Sequence, residues 1–163
     1  MFISELFSAL EAAGVEYAVV GGVAVNIHGV PRMTYDVDIV VSTTEASLRR
    51  CREVLERLGL QCRLPFSLES IADLSKRKEL ESDRNLVAVT FTDPGNPLRE
   101  VDVLVAPSLD PDGIVARAVR RTADALSVRV VSLEDLLTMK RSSNRAKDRA
   151  DIEHLERIAK GKD

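Results

Sequence analysis

Cysteine and histidine are scarce in this chain. Cys51 and Cys62 are its only cysteines and His28 and His154 its only histidines, and no spacing among the four matches a zinc site. Both thiols read as reduced and structural, with Cys51 on the apolar side of a helix; a disulfide or a metal site is the alternative. An excess of one charge is lacking too. The 23 basic and 26 acidic residues leave a net charge of -3, which gives no global reason to expect nucleic-acid binding. No apolar run approaches the roughly 20 residues of a membrane span, and the start MFISELFSAL lacks the basic opening of a signal peptide. A cytoplasmic location is therefore expected. Internal repeats, low-complexity stretches and linkers are absent, so the chain reads as one domain over 1–163, with a sheet core over 1–131 and C-terminal helices over 132–163.

What is present is a soluble globular composition, 45% hydrophobic and 30% charged, arranged around the stretch YAVVGGVAVNIHGVPRMTYDVDIVV from Tyr17 to Val41. It reads as a strand, a tight turn at Gly21-Gly22, a short helix to His28, a break at Gly29-Val30-Pro31, and a second strand from Asp36 to Val41. Side chains on a strand alternate faces, so Asp36 and Asp38 project to the same side, where two carboxylates can share hard cations. The double glycine lets a ligand approach the backbone closely, at a helix start whose first N–H groups have no internal partners. Together the two features suggest nucleotide-phosphate chemistry. Arg32 and Thr34, just ahead of Asp36, read either as contacts to an anionic ligand or as an ordinary solvated loop.

The flanking chain supplies more elements. Phe2 to Ala13 reads as a helix stopped by Gly14, and Ser42 with Glu45 as a capping box for a helix whose stripe is Leu48, Cys51, Leu55 and Leu58. A short strand over Leu60–Leu64 follows. Within Pro65–Arg84 a small helix around Leu68, Ile71 and Leu74 is expected, and the cluster Lys76-Arg77-Lys78 reads as a solvated face or a substrate contact. Leu86–Thr92 and Arg99–Val105 form an antiparallel hairpin around Asp93–Pro97. In its second strand an acid in the middle of REVDVLVA is costly to bury alone, which makes Asp102 a candidate third carboxylate.

Pro111–Ala123 reads as helix and Ser127–Val131 as the last strand. Ser132 caps a helix in which Lys140 falls at the end of the stripe Leu133, Leu136, Leu137. In the final helix, Ala146 to Ala159, Asp148 begins an inward-facing stripe. Lys140 and Asp148 thus form either an ion pair between helices or ligand contacts. The basic segment Lys140–Lys147 reads as an exposed loop, or as a surface for polyphosphate or RNA.

In that order, strand-Gly-Gly-helix, Asp36-Val37-Asp38, Asp102, then Lys140, Asp148 and Asp151, the set resembles the nucleotidyltransferase superfamily with its polymerase-beta-like palm. The stretches GGVAVNIHGVPRMTYDVDIVV and VVSLEDLLTMKRSSNRAKDRADIEHL are similar to those of its AbiEii-toxin-like branch of small bacterial proteins. The likeness covers most of the chain, least well Pro65–Arg84. It implies an α/β (α+β) fold: a mixed twisted sheet of about five strands, helices packed on it, and a C-terminal helical pair. It also implies transfer of NMP from an NTP to a hydroxyl of a protein, RNA (such as tRNA) or small-molecule acceptor. Asp36, Asp38 and Asp102 would hold two magnesium ions, with manganese possible in their place; Asp36 and Asp38 would bridge them and Asp102 take the acceptor side. Gly21, Gly22, Arg32, Thr34, Lys140 and Asp148 would face the nucleotide. Gly22 stands where better-studied members often carry Ser, which removes one hydroxyl contact to phosphate. A toxin-antitoxin partner or a homodimer would complete the assembly. The competing readings are an inactive interaction protein of the same fold and a metal-dependent sugar transferase using Asp-x-Asp.

Overall fold

The computed structural model describes residues 1–123 and 125–161; Asp124 lies outside the described residues, as do Lys162 and Asp163 at the end of the span expected for the C-terminal helices. Helix α1 (Phe2–Ala12) buries Leu6, Phe7 and Leu10, and the chain then turns through Gly14 at φ +66. Strand β1 (Tyr17–Val20) is buried at every position, and the Tyr17 ring stacks on Phe7 with centroids 6.1 Å apart. It runs directly into α2 (Gly21–Ile27), and after a loop the chain returns as β2 (Val37–Val41). Asp36 therefore sits just ahead of β2 rather than inside it.

Helix α3 (Glu45–Arg57) buries Leu48, Cys51, Val54 and Leu55 along the expected stripe. Its cap is Thr44, whose hydroxyl accepts the Ser47 N–H, and not the expected Ser42. Ser42 lies too far ahead of the helix: it still extends the β2 ladder, donating its N–H to the Glu16 carbonyl at 2.8 Å, and the first turn begins only at Glu45. Strand β3 shrinks to Gln61–Cys62 from the expected Leu60–Leu64. A 3-10 turn at Leu68–Ala72 leads into α4 (Leu74–Arg84), capped by Asp73. Within the supposed solvated cluster, Arg77 is 7% exposed and its guanidinium donates to the Ile71 and Ala72 carbonyls. It closes the open carbonyl end of the preceding turn instead of facing water.

Strands β4 (Ala88–Asp93) and β5 (Asn96–Leu104) form the expected antiparallel hairpin. Helix α5 stops early, at Pro111–Arg117, because the chain turns extended at Ala118 and forms β6 (Val119–Ala123). The expected helix over Pro111–Ala123 is thus half helix and half strand. Strand β7 (Leu126–Val130) pairs antiparallel with β6, and α6 (Leu133–Ser143) and α7 (Ala146–Ala159) complete the chain. As expected, Ser132 caps α6, accepting the Asp135 N–H.

The strands join in one sheet of seven, in the order β3-β4-β5-β2-β1-β7-β6, where about five were expected. The pairs β2/β5 and β1/β7 are parallel and the others antiparallel. Val37, Ile39, Val101 and Val103 are buried. Parallel registration aligns Val37 with Val101 and Ile39 with Val103, so Asp38 and Asp102, one residue along each strand, meet on the opposite face. No helix among the described residues is long and apolar enough to cross a membrane.

Candidate active site

The site starts from two residues that have no room for a side chain. Gly21 adopts φ +63, and a Cβ there would lie 2.0 Å from Asp38 Oδ2. At Gly22 a Cβ would lie 2.7 Å from Thr34 Oγ1. Left-handed backbone at the first position and close approach at both give glycine a steric reason at each. The β1–α2 turn is thus pressed against the carboxylate of β2 and the loop that precedes it.

Asp36, Asp38 and Asp102 each offer a carboxylate oxygen within 4.8 Å of the others. Two neighbours orient them: Thr34 Oγ1 donates to Asp36 Oδ1 at 3.1 Å, and Thr90 Oγ1 donates to Asp102 Oδ1 at 2.5 Å. Burial pushes the Asp38 carboxyl up to about 6, and the charges of Asp36 and Asp102 push the same way, while Lys140 and Arg145 oppose them. Three acids held this close repel one another, and a hard divalent cation relieves that repulsion.

A second cluster forms the opposite wall. Lys140 Nζ donates to Asp148 Oδ1 and to Asp151 Oδ2, both at 2.9 Å, and Arg32 Nη1 reaches the same Asp151 Oδ2 at 2.5 Å. Ser143 Oγ donates to the other Asp148 oxygen. Burial works to raise the Asp148 pKa, but the hydrogen bonds from Ser143 and Lys140 outweigh it and hold the group below its ordinary value. Lys140, Asp148 and Asp151 are 8%, 3% and 7% exposed, so α6, α7 and the loop carrying Arg32 are fastened by a nearly dry ionic knot.

Between the two walls lies a cavity of about 550 Å³. Its lining includes every residue expected at the site: Asp36, Asp38, Asp102, Gly21, Gly22, Arg32, Thr34, Lys140 and Asp148. The sequence reading left Lys140–Asp148 open between an ion pair and a ligand contact; the pair is formed, and it also faces the cavity. Four contributors were not expected at the site itself. Asp151 joins Arg32 to Lys140, and its signal was the three-residue step from Asp148 along one helix face. Thr90 is opposite Asp102 in the hairpin register, which alternation could have shown. Arg145 and Ser143 lie inside the Lys140–Lys147 segment, which reads as an exposed loop or as a surface for polyphosphate or RNA without singling out either residue.

A family model described as "Nucleotidyl transferase AbiEii toxin, Type IV TA system" matches residues 6–162. No curated protein matches the sequence. Among solved structures, the lincomycin-bound lincosamide antibiotic adenylyltransferase LnuA superimposes with a TM-score of 0.60 at 15% identity, covering 94% of this chain and 96% of that one. The antibiotic-resistance factor ANT(2'')-Ia gives 0.56 at 12% identity, covering 98% and 82%. An antigenic nucleotidyltransferase-like protein from Paracoccidioides brasiliensis gives 0.54 at 20%, covering 96% and 72%. At these identities the structural likenesses show a shared fold.

Proposed function

The chain belongs to the AbiEii nucleotidyl transferase toxin family, and on that premise we propose that it moves NMP from an NTP to an acceptor hydroxyl with divalent metal bound. The observation that carries this reading is the convergence of Asp36, Asp38 and Asp102 beside the side-chain-free turn at Gly21-Gly22. The donor set fits magnesium or manganese: the oxygens are hard ligands, and burial first, then the charges of Asp36 and Asp102, raise the Asp38 pKa. Asp36, Asp38 and Asp102 would hold the metal. When bound, the ions supply activation of the acceptor hydroxyl and stabilisation of charge as pyrophosphate departs.

The protein's own groups do the rest. The bare backbone of Gly21 and Gly22 lets the phosphate chain lie close to the triad. Thr34 and Thr90 hold the outer carboxylates in place, so that orientation is set before substrate arrives. Arg32, Lys140 and Asp148, tied through Asp151, form the firm wall against which the nucleotide rests. Asp102 would accept the acceptor's proton. The acceptor would approach across β4 and β5, where a depression of about 570 Å³ between Arg63, Thr90 and Glu100 shares Ala88 with the nucleotide cavity.

The acceptor class is a protein, tRNA or a small molecule. The lincomycin-bound LnuA structure supports the last, and the type IV toxin description of the family supports a macromolecular target and a partner antitoxin. Purified protein incubated with magnesium, α-labelled NTP and a bacterial lysate should label a discrete component, and Asp38→Asn should abolish the label. Equal labelling by the wild type and the Asp38→Asn protein would overturn the reading.

A further inference from the structure

We infer that the triphosphate of the donor nucleotide is met by the guanidinium of Arg145, assisted by Lys147, rather than by the ammonium of Lys140. The inference rests on the nucleotidyltransferase reading and concerns the same cavity.

Four cationic side chains line that cavity: Arg32, Lys140, Arg145 and Lys147. The first two are already committed. Lys140 donates to Asp148 and Asp151, and Arg32 donates to Asp151, so two positive charges stand against two negative ones. This knot is neutral as a unit and offers an incoming polyanion no net attraction. Releasing Lys140 toward a phosphate would leave buried Asp148 with the Ser143 hydroxyl but no cation, and Asp151 with Arg32 alone, a cost carried by the fold itself.

Arg145 and Lys147 differ on every count. Both are exposed, and neither has a hydrogen-bond or carboxylate partner among the described residues. Arg145 immediately precedes α7, after Asn144 turns the backbone through φ +47 at the end of α6. It lines the cavity that the triad also lines, so its charge is available where the phosphate chain must run. A guanidinium presents paired donors that match phosphate oxygens, and it stays charged throughout the working pH range. Lys147, two residues on, adds a flexible point charge at the same rim.

The test is calorimetric titration of inorganic tripolyphosphate, and separately of a non-hydrolysable ATP analogue with magnesium, into wild type, Arg145→Gln, Lys147→Gln and Lys140→Met. Melting curves of each variant accompany the titrations. Arg145→Gln should melt like wild type and bind tripolyphosphate about 10-fold or more weakly, the loss due to one charge-assisted contact. Lys147→Gln should lose a few-fold. Lys140→Met should melt lower. Unchanged affinity in Arg145→Gln would overturn the inference, as would wild type that binds no tripolyphosphate. So would a Lys140→Met protein that melts like wild type yet loses more affinity than Arg145→Gln. The two readings fail separately: Arg145-dependent tripolyphosphate binding without NMP transfer to any lysate component removes only the enzymatic reading. Transfer that proceeds equally in Arg145→Gln removes only this one.

Discussion

A single methyl group is enough to test the site at the scale of the residue. Gly21→Ala places a Cβ 2.0 Å from Asp38 Oδ2 in a backbone at φ +63. The left-handed conformation costs a side chain about 1–2 kcal/mol, and the clash is relieved only by turning the Asp38 carboxylate away from the triad. The expected outcome is a modest loss of stability with complete loss of tight manganese binding, read by titration calorimetry. Retained manganese affinity would mean that Asp38 is not a ligand. Asp38→Asn acts on the same carboxylate with the opposite sign for the metal-free fold. It removes a buried charge that Asp36 and Asp102 repel, so the metal-free variant should melt above wild type while its transferase activity disappears. The Gly-Gly pair and Asp36-Val37-Asp38 were legible because steric need and alternation are local properties. Thr90 and Asp151 were harder to read, since their roles depend on which strand and which loop lie opposite.

Between elements, the knot of Asp151, Lys140, Asp148 and Arg32 ties α6, α7 and the loop ahead of β2 together, beside the Arg141–Glu156 pair that also links the two helices. Asp151→Ala leaves Lys140 with Asp148 alone and takes from Arg32 the carboxylate it donates to, in surroundings that are nearly dry. Breaking a buried pair costs about 3–5 kcal/mol, and a domain of this size loses about 2–4 °C per kcal/mol. A fall in melting temperature of about 10 °C is therefore expected by calorimetry, and a fall within about 2 °C would show that the knot is not structural. Helix ends and stripes of this kind could be read from periodicity, and α7 begins and ends where the pattern placed it. Strand β6 could not. Val119–Ala123 has no alternating apolar pattern, and Arg120, Arg121 and Ala123 are compatible with a helix. What makes it a strand is its register with β7, from Val119 opposite Val130 to Ala123 opposite Leu126, in a hairpin whose connecting sequence has neither the Gly nor the Pro that would have marked a turn. Ser42 misled because strand pairing runs on through it, so that the helix starts only at Glu45, behind Thr44.

For the molecule as a whole, the parallel pairing of β2 with β5 at the sheet centre sets stability against charge. It brings Asp38 beside Asp102, and the Asp38 carboxyl, pushed by burial and then by its acidic neighbours, titrates near 6 instead of in the ordinary carboxylate range. The folded protein then keeps a proton between about pH 4 and about 6 that the unfolded chain has released. Stability from this group is full below that window and is lost as pH rises through it, by at most about 3 kcal/mol for a shift of roughly two units. Glu100 is displaced in the same direction, by burial first and by Asp102 and Asp36 after it. Asp148 works oppositely: its depressed pKa stabilises the fold above the ordinary carboxylate range, and that support is lost as pH falls below it. In chelator, the melting temperature should therefore peak near the lower edge of that window, decline as pH rises through it, and level off above about 6. Excess magnesium or manganese should reverse that decline, because the cation replaces the proton in balancing the triad. Asp38→Asn should flatten the decline in chelator and remove the metal response. A melting temperature that rises steadily from acid to neutral pH in chelator, in wild type and variant alike, would show that the three carboxylates do not form an electrostatically strained cluster.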